Sequence, residues 1–116
     1  MTDIYSEYQR KPDEQVLSEL VRRIVQAIKP LRIVLFGSAA RGEMGPDSDL
    51  DILVVMSDGA HRRRTAQEAY KCLKGMGIAK DVVVATESDV REHSNNPSLV
   101  LYPALRFGKE LYRVAG

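Results

Sequence analysis

The sequence holds little that would support several common chemistries. It has a single cysteine, Cys72, so no internal disulfide is available. Its helical setting reads as a buried or half-buried thiol rather than a nucleophile. The two histidines, His61 and His93, stand far apart with no second ligand at zinc spacing. The apolar runs are too short to cross a bilayer, and the polar start "MTDIYSEYQRKPDEQ" has no apolar signal core. The expectation is a cytoplasmic protein without a membrane partner. Formal net charge is only +1, so bulk charge does not argue for direct nucleic-acid binding. No internal repeat, low-complexity tract or Gly-x-x-x-x-Gly-Lys-Ser/Thr phosphate loop is present.

What is present suits one domain. The chain has 116 residues, 44% hydrophobic and 28% charged, as expected of a globular protein with one core. Residues 1–12 read as a flexible tail and 13–116 as a single domain. Asp13 is placed to cap a helix over 14–29, whose apolar residues recur at spacings of three and four. Pro30 ends it. Residues 31–36 read as a strand, "SAARGE" as a turn or two of helix and "MGPDS" as a turn. A second strand follows in "DLDILVVM", then a helix over 62–74 and a third strand over 80–86. A short helix is expected in "ESDVREH". A further helix is expected in "SLVLYPALRFG", with Pro103 kinking or breaking it, and a last short strand in "KELYRV". This order predicts an α/β (α+β) fold with a small mixed β-sheet and flanking helices.

Three details of this pattern carry expectations of their own. Arg62, Arg63 and Arg64 form a basic run at a helix start, read as a solvated face rather than a site for RNA or an acidic partner. Tyr70, Tyr102 and Tyr112 read as packing groups. Leu53 and Val55 share a strand face with Asp49 and Asp51, and Val83 shares one with Asp81. So short a chain has few helices to cover both faces, which leaves that apolar face as an expected docking surface.

The chemistry concentrates in "VLFGSAARGEMGPDSDLDILVV". Asp49 and Asp51 lie two apart on a strand, so their carboxylates point the same way, about 7 Å apart along the backbone. Such a pair raises its own pKa unless a cation sits between, and hard oxygen ligands of this kind suit Mg²⁺. Asp81 supplies a third carboxylate if its strand is a neighbour, a set that fits two Mg²⁺ ions and phosphoryl or nucleotidyl transfer. Upstream, Gly37 lets backbone approach a phosphate, the following helix offers free N–H groups, and Ser38 adds a hydroxyl. Arg41 is read either as a cation for phosphate oxygens or as a surface charge.

Gly37-Ser38, ten residues, then Asp49-Leu50-Asp51 resembles the signature of the nucleotidyltransferase superfamily that includes DNA polymerase beta. The longer stretch "GSAARGEMGPDSDLDILVV" is similar to the minimal nucleotidyltransferases of prokaryotes, with Arg41, Gly42 and Ser48 in place and Ala39 as a departure. Asp81 in "KDVVVAT" matches the family's third acid, and "ALRFGKELY" resembles its closing helix and strand. The resemblance implies the polymerase beta-like fold. It implies ATP as donor, with Gly37, Ser38, Arg41 and Ser48 binding the nucleotide and Asp49, Asp51 and Asp81 holding Mg²⁺. Small stand-alone members of this type are paired with HEPN-domain proteins in toxin–antitoxin modules. There the resemblance implies an antitoxin that transfers AMP from ATP to a tyrosine of the HEPN ribonuclease and so neutralises it. Two other readings stand beside it. One is a small-molecule acceptor, as in aminoglycoside nucleotidyltransferases, with the site completed by a second copy or a separate chain. The other is a non-catalytic antitoxin that masks its partner by contact.

Overall fold

The computed structural model describes residues 12–45 and 49–115. The expected tail over residues 1–12 therefore lies, apart from Pro12, outside the described residues, as does Ser48. Helix α1 (Glu14–Ile28) starts where Asp13 accepts a hydrogen bond from the Gln15 N–H at 2.7 Å. It ends at Lys29, which adopts the left-handed conformation with φ 48° ahead of Pro30. Strand β1 (Arg32–Phe36) runs into a single helical turn, α2 (Gly37–Ala40). Strand β2 (Leu50–Met56) is followed by helix α3 (Arg62–Cys72) and strand β3 (Lys80–Thr86). Two short helices, α4 (Glu87–His93) and α5 (Leu101–Phe107), precede the last strand, β4 (Lys109–Arg113).

The four strands form one mixed sheet in the order β3-β2-β1-β4. β1 pairs antiparallel with both β2 and β4, while β2 and β3 are parallel. A parallel pair needs a crossover, and α3 supplies it. Side chains alternate across the sheet, so each strand feeds two layers. Ile33, Leu35, Ile52, Val54 and Val82 pack with Leu17, Leu20 and Ile24 of α1 and with Ala69 of α3. Val34, Leu53, Val55 and Ala85 pack on the other face with Leu101 and Ala104 of α5. The mixed α+β sheet expected from the sequence is therefore present.

Two expectations need correcting. The face carrying Leu53 and Val55 is not an open docking surface. Both residues are buried, at 0% and 2% exposure, beneath the short helices α4 and α5. Seven residues suffice for each cover because the strands contribute large side chains and α5 presents Ala104, which lets the helix sit close. Pro103 does not break its helix either. It is the third residue of α5, in the first turn, where N–H groups lack intrahelical acceptors and proline's missing donor costs nothing.

The basic run at the start of α3 also has a structural use. Arg62 donates two hydrogen bonds, at 2.7 and 2.6 Å, to the Asp89 carboxylate. Asp89 simultaneously closes a reciprocal cap with Thr86 at the start of α4. Arg62 thereby ties the crossover helix to the next layer, and its guanidinium holds the Asp89 pKa far below the usual carboxylate range. Arg63 and Arg64 are exposed, as expected of a solvated face.

Leu53→Ala tests the covered face. Truncating this fully buried side chain is expected to destabilise the fold by about 2–5 kcal/mol in urea unfolding. A loss below about 1 kcal/mol would mean that α4 and α5 do not cover it in solution.

Candidate active site

Strand register assembles the site. Phe36, the last residue of β1, is opposite Asp51 of β2, and Asp51 is opposite Asp81 of β3. The end of β1 and the starts of β2 and β3 thus share one rim of the sheet. Neighbouring strands lie about 4.8 Å apart, so Asp51 and Asp81 begin side by side, on the same face as Leu53 and Val83. Asp49 stands just before β2 and is exposed, whereas Asp51 is half-buried.

Gly37 closes the rim from above. It follows Phe36 at φ +72°, a conformation L side chains rarely adopt. A Cβ there would collide with Asp51 Oδ2. A glycine at this point is expected to admit a phosphate. The geometry adds a nearer demand, because the backbone already lies against a carboxylate. Ser38 is half-buried in α2, and its carbonyl accepts from the Glu43 N–H at 2.9 Å. Ala39 is buried at 3% in the α1-side core, so its small side chain serves packing. Arg41 is exposed and donates to Glu43 at 2.9 Å, yet its charge reaches Asp51.

The electrostatics agree with this crowding. Burial pushes the Asp51 pKa up, and the neighbouring charges of Asp81 and Asp49 add to the shift, with Arg41 opposing. A hard divalent cation at the rim would relieve that repulsion, and the oxygen donor set fits one. Among the described residues, however, no three His, Cys, Asp or Glu side chains are already gathered as a metal-holding group. The three aspartates share a rim without converging on one point.

One residue at this rim escaped the sequence reading. Tyr70 of α3, taken there as a packing group, is 40% exposed and its hydroxyl donates to Asp81 Oδ1 at 3.1 Å. The signal was available. A tyrosine at the edge of a weak apolar face carries a polar tip that needs a partner. Cys72 behaves as expected. It is half-buried, its thiol donates to the Ala69 carbonyl at 3.1 Å, and burial raises its pKa. A groove of about 330 Å³ includes Arg32, Arg91 and Arg113, but it sits at the opposite end of the sheet. Those guanidinium groups are paired with Glu110 and Asp58.

The four-stranded mixed sheet with its flanking helices is consistent with the polymerase beta-like nucleotidyltransferase fold. The nucleotidyltransferase domain model matches residues 17–102, and the chain belongs to that family. No curated protein matches the sequence. Among solved structures, the fold is similar to a chain of a toxin–antitoxin crystal structure with AMP-PNP, at TM-score 0.56 and 24% identity. That match covers 84% of this chain and 73% of that one. It is also similar to a chain of the MntA–HepT toxin–antitoxin, at TM-score 0.55 and 21% identity, covering 88% and 74%. A third likeness is to a chain of the Shewanella oneidensis complex of tri-AMPylated HEPN toxin with MNT antitoxin. There the TM-score is 0.52 and the identity 20%, covering 87% and 72%. No helix among the described residues is long and apolar enough to cross a membrane.

Two substitutions check the rim. Ionising Asp51 is disfavoured in the fold, so its protonated form contributes stability that is present below its unfolded value, near 3.8, and is lost as pH rises through the folded pKa. Asp51→Asn should therefore unfold at higher urea than wild type at pH 7, with the gain vanishing near pH 3. Gly37→Ala should lower the unfolding midpoint at pH 7, and by less in the Asp51→Gly background, where the colliding oxygen is gone.

Proposed function

We propose that the chain transfers AMP from ATP to a tyrosine hydroxyl of a HEPN-domain partner, and that it acts in this way as the antitoxin of a toxin–antitoxin module. The observation that carries the reading is the register that sets Asp51 beside Asp81 directly under Gly37, in a chain of the nucleotidyltransferase family. The toxin–antitoxin structures it resembles include one with AMP-PNP and one with an AMPylated HEPN toxin, which supports ATP as donor and a HEPN protein as acceptor.

Each residue then has a task. Gly37 and Ser38 hold the β- and γ-phosphates, with Ser48 and Arg41 as further nucleotide contacts. Asp49, Asp51 and Asp81 would hold Mg²⁺, which when bound supplies positive charge against the triphosphate. The acceptor hydroxyl approaches from the Asp81 side, where β3 is an edge strand and Asp81 is exposed. It attacks the α-phosphorus, a new O–P bond forms, the bond to the β-phosphate breaks, and pyrophosphate leaves. Asp81 takes part in removing the hydroxyl proton. Holding the nucleotide in line with that hydroxyl contributes most of the rate, since the protein has little covalent chemistry to perform.

The test is direct. Incubated with a HEPN-domain partner protein, α-labelled ATP and Mg²⁺, the chain should label that protein on tyrosine. Asp49→Asn with Asp51→Asn should cut labelling by at least 10³-fold, in line with loss of the metal's charge. Undiminished label in the double variant would remove the site assignment. Neutralisation of the partner by that variant without label would establish masking by contact instead.

A further inference from the structure

The structure assigns Tyr70 as the residue that positions Asp81, by fixing one of its carboxylate oxygens from the open edge of the sheet. The inference rests on the reading above that Asp81 takes part in nucleotidyl transfer. Two hydrogen bonds define it. The Val82 N–H donates to the Tyr70 hydroxyl at 2.8 Å, and the hydroxyl donates to Asp81 Oδ1 at 3.1 Å. The first bond occupies the phenol as an acceptor and pins its oxygen beside the backbone of the residue that follows Asp81. The single O–H proton is then committed to Asp81, because a tyrosine has only one to give. Among the described residues no other hydrogen bond reaches that carboxylate.

The need for such a residue follows from where Asp81 sits. Asp51 lies on an interior strand, half-buried and hemmed in by Gly37. Asp81 lies on the edge strand β3 and is exposed, with no neighbouring strand on its outer side to limit its rotamers. Tyr70 reaches this edge from α3, the crossover helix that joins β2 to β3. One oxygen of Asp81 is thus spoken for, and Oδ2 is left to serve the shared rim. Partners of this kind fix the orientation of a ligating carboxylate and typically alter metal affinity or activity by about 10–100-fold when removed.

A purely structural account exists, in which Tyr70 caps the orphan Val82 N–H of an edge strand and its contact with Asp81 is incidental. Tyr70→Phe separates the two, because it deletes only the hydroxyl. Three readouts are needed: AMP transfer to the HEPN partner, Mn²⁺ affinity by electron paramagnetic resonance in the presence of AMP-PNP, and the urea midpoint. Tyr70→Phe is expected to lower kcat about tenfold, leave KM for ATP within about twofold, and weaken Mn²⁺ binding about tenfold. In an Asp81→Asn background the same change should add no further loss, since the partner is already altered. A Tyr70→Phe variant with a lower urea midpoint but wild-type kcat and Mn²⁺ affinity overturns the inference and leaves the proposed function standing. So does a variant that binds Mn²⁺ more tightly, because Tyr70 would then be withholding Asp81. If Asp81→Asn itself matches wild type in transfer and in Mn²⁺ binding, the role of Asp81 is wrong and the premise falls with it.

Discussion

The structure depends on the register of β2. This strand is paired antiparallel with β1 and parallel with β3, and both pairings bring its first residues to the same rim. A slip by one residue on either side would turn Asp51 to the α1 face and bring Ile52 or Leu50 to the rim. The apolar pattern prevents the slip. Ile52 and Val54 are buried on one face and Leu53 and Val55 on the other, and a one-residue slip would carry the Asp51 charge toward the α1 side. The site is therefore specified by the core rather than by attraction among its own residues, which repel one another.

That repulsion has to be offset elsewhere, and the two helical layers do so. The parallel pairing of β2 with β3 is non-local, since α3 and its connections intervene. Polar ties hold α3 at both ends. Arg62 fastens its start to Asp89. At its finish, Arg23 of α1 donates to the carbonyls of Cys72 and Lys74, at 3.3 and 3.2 Å, where helix carbonyls lack internal donors. The crossover is thus clamped to both layers, and the residue that reaches Asp81, Tyr70, sits on the last part of the clamped helix.

Most of the element order was legible in the sequence, because punctuation was strong. Asp13, Pro30 and the Gly-Ser after Phe36 mark boundaries with a physical cause, and the strand over 80–86 and the helix over 87–93 fall where the pattern put them. Of the site, the shared side of Asp49 and Asp51 was legible from alternation, whereas the meeting of Gly37 with Asp51 needed the antiparallel β1–β2 register. The partnership of Asp81 was conditional on strand adjacency, which no local pattern states, and only the parallel register supplies it. The covered second face was misread for a related reason. Helices of seven residues carry too little periodicity to advertise a buried side, and their cover depends on tertiary placement. Pro103 misled because a proline breaks a helix interior but suits a first turn, and the sequence did not show where α5 began.

The two ends of the rim are held differently. At Gly37 the positive-φ backbone lies close against the Asp51 carboxylate, which a methyl group there would have to displace. At Asp81 the carboxylate is held by one hydrogen bond on an edge strand. A single hydrogen bond contributes on the order of 1 kcal/mol and yields to a better partner. The proposed roles suit that division. A triphosphate has invariant geometry and can be met by a backbone turn. An acceptor hydroxyl carried by another protein arrives with its own surface, and the carboxylate that meets it gains from being held but not locked. The single hold on Asp81 follows from its place on β3, because an interior strand would enclose it and shut the acceptor out.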